Sequence, residues 1–189
     1  GTTLNGANIV KAYTGVNTTS GDISLINNTA TGTLDVQDIS NAGTSGAIRI
    51  QEANNTIDVN GAVEGTEVTL VSTAGTITQT SGAITATTLL DTTSVGGTTL
   101  NGANIVQAYT GKNTNSGDIL LNNASGGTLD VRHITNTVGK ISITEANDID
   151  VSGAVQGTEV TLVSTAGTIT DTGSGAITAA LLDTWLVYT

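Results

Sequence analysis

The sequence has no cysteine, no proline, no methionine and no phenylalanine among its 189 residues. Without cysteine there is no disulfide framework, no thiolate metal site and no thiol nucleophile. Aromatic residues are scarce, limited to Trp185 and three tyrosines. Charged residues make up only 11% of the chain, well below the usual quarter. Bases are the rarest charge, 5 against 16 acids, giving a formal net charge of −11. A surface that tracks phosphate needs clustered Lys or Arg, so no nucleic-acid partner is expected and anionic lipid is disfavoured. No apolar run approaches the length of a membrane span, so no membrane insertion is expected. No basic region followed by an apolar one opens the chain, which places any signal peptide outside it.

What fills the space is Thr, Ser, Asn and 24 glycines, together with enough Ile, Leu and Val to bring hydrophobic residues to 37%. A disordered chain is poor in those aliphatics, so this one is expected to fold. The chain also repeats itself. Gly1-Thr-Thr-Leu-Asn-Gly-Ala-Asn-Ile-Val10 recurs as Gly97–Val106, and Gly65–Thr78 recurs unchanged as Gly157–Thr170. Short deletions around Thr29–Thr31 and Asn41–Asn55 shift the spacing between the copies, and they fall in loop-like stretches. The division is 1–96 for the first copy and 97–189 for the second, read as one continuous solenoid.

Within each copy lies a shorter repeat of period two: Asp22-Ile-Ser-Leu25, Thr33-Leu-Asp-Val36, Ala47-Ile-Arg-Ile50, Thr56-Ile-Asp-Val59, Glu67-Val-Thr-Leu70, Thr76-Ile-Thr78 and Ala83-Ile-Thr-Ala86. Aliphatics at i and i+2 with polar residues between them mark half-buried strands, bounded here by Gly, Asn, Ser and Thr. No segment has helical periodicity, and the class is all-β. Two β-sandwiches of about a hundred residues are one option. A β-solenoid with coils of roughly 20 residues stacked about 4.8 Å apart is the other. Very short strands, a core almost free of aromatics and no linker between the copies favour the solenoid. Eight to ten such coils would span roughly 40–50 Å.

Gly75–Leu90, Gly97–Asn104 and Ser116-Gly-Asp-Ile-Leu-Leu121 resemble filamentous-haemagglutinin-like and autotransporter-type bacterial β-strand-repeat surface proteins. The resemblance rests on repetitive texture and extends through Asp183. It implies a right-handed parallel β-helix, export to the bacterial cell surface or beyond, and a role as stalk, fibre or adhesin. The family's secretion domain carries Asn-Pro motifs, which a chain without proline lacks. The ending Trp185-Leu-Val-Tyr-Thr189 also departs from the pattern, where a return to Gly-Gly-Thr-Thr-Leu is expected.

No catalytic residue, cofactor or metal site is expected. His133, the only histidine, has Asp38 as its counterpart in the first copy and reads as an exposed strand residue, since a general base needs an orienting acid and a nucleophile beside it. Asp35, Asp58, Asp130 and Asp150 sit between inward aliphatics and should face water. The nonapeptide of calcium-binding solenoids is missing. The five bases are scattered, which disfavours a polysaccharide-processing β-helix. Thr76-Ile-Thr78 and Thr168-Ile-Thr170 resemble ice-binding elements, but Ser24, Asp35, Arg49 and Asp58 would break the threonine ladder. Asn27-Asn28, Asn54-Asn55 and Asn122-Asn123 are expected to form side-chain ladders between coils. Asn17, Asn27, Asn54 and Asn123 match the glycosylation sequon, a match that so much threonine makes routine.

Tyr13 and Tyr109 occupy equivalent positions and are candidate surface contacts, with packing on a loop as the alternative. Trp185, Leu186, Val187 and Tyr188 form the most apolar segment and are candidates for a cap or a subunit contact. The expected function is a structural or adhesive repeat region forming a stiff rod or fibre. The alternative is a subunit of a self-assembling extracellular filament, associating end to end. A host or cell-surface glycan or protein is the other partner class the resemblance implies.

Overall fold

The computed structural model describes residues 1–41, 46–173 and 175–187. They form an all-strand β-solenoid of about 9 turns with about 21 residues per turn. The first copy contributes β1 (Thr2–Asn8), β2 (Ala12–Asn17), β3 (Ile23–Asn27), β4 (Leu34–Asn41) and β5 (Ala47–Glu52). It continues with β6 (Ile57–Val59), β7 (Val63–Ser72), β8 (Ile77–Gln79) and β9 (Ile84–Ser94). The second copy begins with β10 (Thr98–Val106), β11 (Ala108–Asn113), β12 (Ile119–Asn123), β13 (Leu129–Asn136) and β14 (Ile141–Glu145). It ends with β15 (Ile149–Val151), β16 (Val155–Gly157), β17 (Glu159–Ser164), β18 (Ile169–Thr170), β19 (Ile177–Thr178) and β20 (Leu181–Leu186).

Pairing is parallel and runs from each coil to the next, so that β3 lies on β5, β5 on β7, and β7 on β9. Register places like on like. Ile23 faces Ile48, Val36 faces Val59, and Ile57 faces Ile77. Alternation along each strand sends these aliphatics inward. Ile23, Leu34, Val36, Ile48, Ile50, Ile57, Val59, Val68, Leu70, Ile77 and Ile84 have no exposure above a trace. Burying each such side chain stabilises the fold by about 1.5–3 kcal/mol. The expected strand cores are therefore the observed ones.

Several strands are longer than the short pattern implied. β7 has 10 residues, β9 has 11 and β10 has 9. Each turns a corner without leaving the ladder. The first part of β7 pairs with β4 and the second with β5. β9 likewise divides between β10 and β11. A period-two search marks the aliphatic segments and passes over corners such as Gly65-Thr-Glu67, where polar residues carry the backbone bonds onward.

The inward face is not wholly apolar. In β3 and β5 the third inward residue is Asn27 or Glu52, both fully buried. Asn27 Nδ2 donates to Glu52 Oε2 at 2.6 Å, one coil away. The same pair recurs as Asn123 donating to Glu145. Asparagine ladders form on a neighbouring column, where Asn17 donates to Asn41 at 2.8 Å and Asn113 to Asn136 at 3.1 Å. Asn113 also donates to the carbonyls of Ser116 and Gly117, and its Oδ1 accepts the Gly97 N–H. These amides hold the corner backbone, which a buried site otherwise leaves unpaired. Among the expected asparagine pairs, Asn54 does bond Asn28 across coils, at 2.5 Å. Asn27 and Asn123 are instead interior residues, closed to glycosylation in the folded chain.

Candidate functional site

Tyr109 projects inward from β11, and this corrects its expected place at the surface. It is fully buried, the largest enclosed side chain of the core. Its hydroxyl bonds Thr92 Oγ1 of β9 at 2.9 Å, and desolvation raises its pKa well above the ordinary tyrosine value. Gly111 makes room for the ring, since a Cβ there would meet the hydroxyl at 2.8 Å. Tyr109 alternates with Gly111 and Asn113 on the inward face, and that period-two parity is the sequence signal for an inward ring. Tyr13 has the same ring-over-glycine arrangement with Gly15, yet it is only half-buried because no strand lies beneath β2.

The remaining candidates lie at the last coil. Trp185 and Leu186 belong to β20, in register with Val163 and Ser164 of β17. Trp185 is 56% exposed, and Leu186 and Val187 are also open to solvent. They extend the edge strand and do not fold across the end of the core. Val187 N–H still bonds the Ser164 carbonyl at 3.0 Å. Tyr188 lies outside the described residues. Sequence reasoning passed over Leu181 and Leu182, which are exposed on the same strand, and Leu4, Ile9 and Val16 at the opposite end. A comparison of each copy's first and last strands would have found two of them, because Leu90 and Leu100, the counterparts of Leu182 and Leu4, are interior.

Elsewhere the surface is largely polar, with Ile105 and Val138 the exposed apolar exceptions among the described residues. Asp35, Asp58, Asp130 and Asp150 face outward, and Asp58 stacks on Asp35 as Asp150 does on Asp130. Hydroxyls moderate this like-charge stacking: Thr78 and Thr80 donate to Asp58, and Thr172 to Asp150. Arg132 pairs with Asp130 at 2.7 Å, and Lys140 with Glu159 at 2.9 Å. His133 is exposed, with Thr135 Oγ1 3.3 Å from its Nε2. A shallow groove at the boundary between copies is lined by Thr87, Ile105, Gln107, Ser125 and Arg132. Its one charged group is already paired. Among the described residues no group of three or more His, Cys, Asp or Glu is placed to hold a metal ion.

No family model matches the chain, and no curated protein or solved structure matches it at a significant level.

Proposed function

We propose that the chain is a structural repeat region of a bacterial extracellular surface protein, a stiff rod whose coils carry adhesive or spacing function by mechanical means. The observation that carries this reading is continuity. The parallel ladder crosses from the first copy to the second without a break, with β10 stacked on β8 and β9, and β11 on β9. Each coil thus adds a fixed rise, and about 9 turns give a rod roughly 43 Å long. The resemblance in repetitive texture to filamentous-haemagglutinin-like proteins supplies the cell-surface and adhesive parts of the reading. A mechanical role also fits the distribution of ionisable groups: the outward Asp58 and Asp150 lie under threonine hydroxyls, and Glu52 and Glu145 are tied down inside the coil.

Small-angle scattering tests the rod directly. Dilute protein should give an elongated particle of that length, and a compact particle would remove the reading. Antibody labelling of intact cells expressing the full gene tests the surface location. Turnover on a polysaccharide panel would replace the mechanical role with an enzymatic one.

A further inference from the structure

Three differences between the two copies converge on the groove in the middle of the stack. The first concerns a bulge. β4 carries one extra residue against β2 between Val36 and Ile39, and β13 carries one against β11 between Val131 and His133. A bulge of this kind re-aims the side chain it bears. In the first copy that side chain is Gln37, whose Nε2 donates to Asp35 Oδ2 at 3.0 Å. In the second it is Arg132, whose Nε donates to Asp130 Oδ2 at 2.7 Å. The anchor is kept, and a guanidinium has replaced an amide upon it.

The second difference is Ser152 in the place of Asn60. Ser152 Oγ donates to Asp130 Oδ1, whereas Asp35 Oδ1 is buried without a hydrogen-bond partner. Both oxygens of Asp130 are therefore engaged, and Arg132 is held through Nε alone. Among the described residues no hydrogen bond uses its two terminal nitrogens, and its side chain is 48% exposed. The third difference is the loop before β13. Residues 28–33 of the first copy become 124–128, one residue shorter, with Gly126 and Gly127 at the tip. A Cβ at either glycine would meet nothing within 4 Å, so the rim of the groove stands open.

The groove framed in this way has a volume of about 580 Å³. Ile105, 48% exposed, and Gln107 come from the corner between β10 and β11. Thr87 and Thr88 come from β9, where two residues oppose the single Thr66 of β7. The side chains of Thr87, Thr88, Gln107 and Thr128 make no hydrogen bond among the described residues.

We infer that this groove binds an acidic saccharide, a chain carrying hexuronate units, with one ring carboxylate on the terminal nitrogens of Arg132. The inference builds on the adhesive part of the proposed function and names the ligand class and its site. A planar guanidinium fixed through Nε offers its remaining donors as a fork that matches a carboxylate. Threonine hydroxyls and a glutamine amide both donate and accept, as ring hydroxyls require of their partners. Ile105 supplies an apolar patch for the C–H face of a sugar ring. Asp130 cancels the net charge of Arg132, so the acid is held by geometry and hydrogen bonds, which favours a planar carboxylate over a diffuse polyanion. An extended peptide is disfavoured, because β9, β11 and β13 are each paired on both sides and leave no edge for another strand.

Tetragalacturonate is the probe, with its methyl ester as the neutral control, titrated into the whole chain by calorimetry and amide NMR. Binding should saturate and should shift the amide signals of Thr87, Gln107 and Arg132, with the ester about tenfold weaker. Arg132→Gln installs the residue that the first copy has at this place, so the urea midpoint should not change while affinity falls about tenfold. Arg132→Lys keeps the charge without the fork and should lose about as much. Ser152 is a positioning residue: Ser152→Ala should weaken binding about threefold through Asp130, and Ser152→Thr should restore it. The inference is overturned if tetragalacturonate does not bind at millimolar concentration, or if the ester or an acidic pentapeptide binds as tightly. It is also overturned if Arg132→Gln binds like the parent. An elongated particle in scattering from a chain that fails to bind would remove the groove and leave the rod standing.

Discussion

Leu4 and Leu100 stand in identical ten-residue sequences, and the structure assigns them different costs of removal. Leu100 is fully buried, in register with Leu121 and covered on its other side by the preceding coil. Leu4 has the same relation to Leu25 but is 39% exposed, because β1 is an edge. Leu100→Ala leaves an enclosed cavity and should cost about 3–4 kcal/mol, within the range for buried leucine. Leu4→Ala removes less covered surface and leaves no enclosed void, so about 1–1.5 kcal/mol is expected. The gap of about 2 kcal/mol corresponds to roughly a 30-fold difference in the folding equilibrium. Urea unfolding followed by far-ultraviolet circular dichroism at low micromolar protein reads it as a difference in midpoint at unchanged slope. A solenoid can lose end coils before its centre, so hydrogen exchange at β12 should accompany the measurement. Equal losses for the two variants would refute the reasoning, because position in the stack is the only thing that separates them.

Tyr109→Phe deletes one hydroxyl and leaves Thr92 Oγ1 buried without its partner, which should cost about 1–2 kcal/mol in thermal or urea unfolding. Tyr13→Phe should be within about 0.5 kcal/mol of the parent in the monomer, for want of a strand beneath it. Glu145 has its pKa raised by burial, with the hydrogen bonds from Asn147, Asn123 and Ser125 opposing that rise. The folded carboxyl therefore holds its proton more tightly than the unfolded one, and stability should fall as pH rises from the unfolded value through the folded one. Glu145→Gln should flatten that dependence in unfolding curves taken across the acidic range, although loss of one acceptor lowers its plateau. Gly117 has φ +81°, and a Cβ there would land on the Gly96 carbonyl oxygen. Gly117→Ala should cost about 1–3 kcal/mol, read as a lowered urea midpoint.

Much of the fold was legible because stacking places like residues above like. Ile57 over Ile77 and Val36 over Val59 are alternating aliphatics in sequence and adjacent rungs in space. The buried polar residues were harder to read. Glu52 continues the inward parity of Ile48 and Ile50, but its charge argues for water, and what satisfies it is Asn27 on a different coil. Only the register of stacked coils brings the two together, and a single strand contains no sign of that. Tyr109 was misplaced for a related reason. An aromatic followed by glycine looks like a loop until the glycine is recognised as the space the ring occupies. At the C-terminal end, the apolar character of Trp185–Val187 was visible at once.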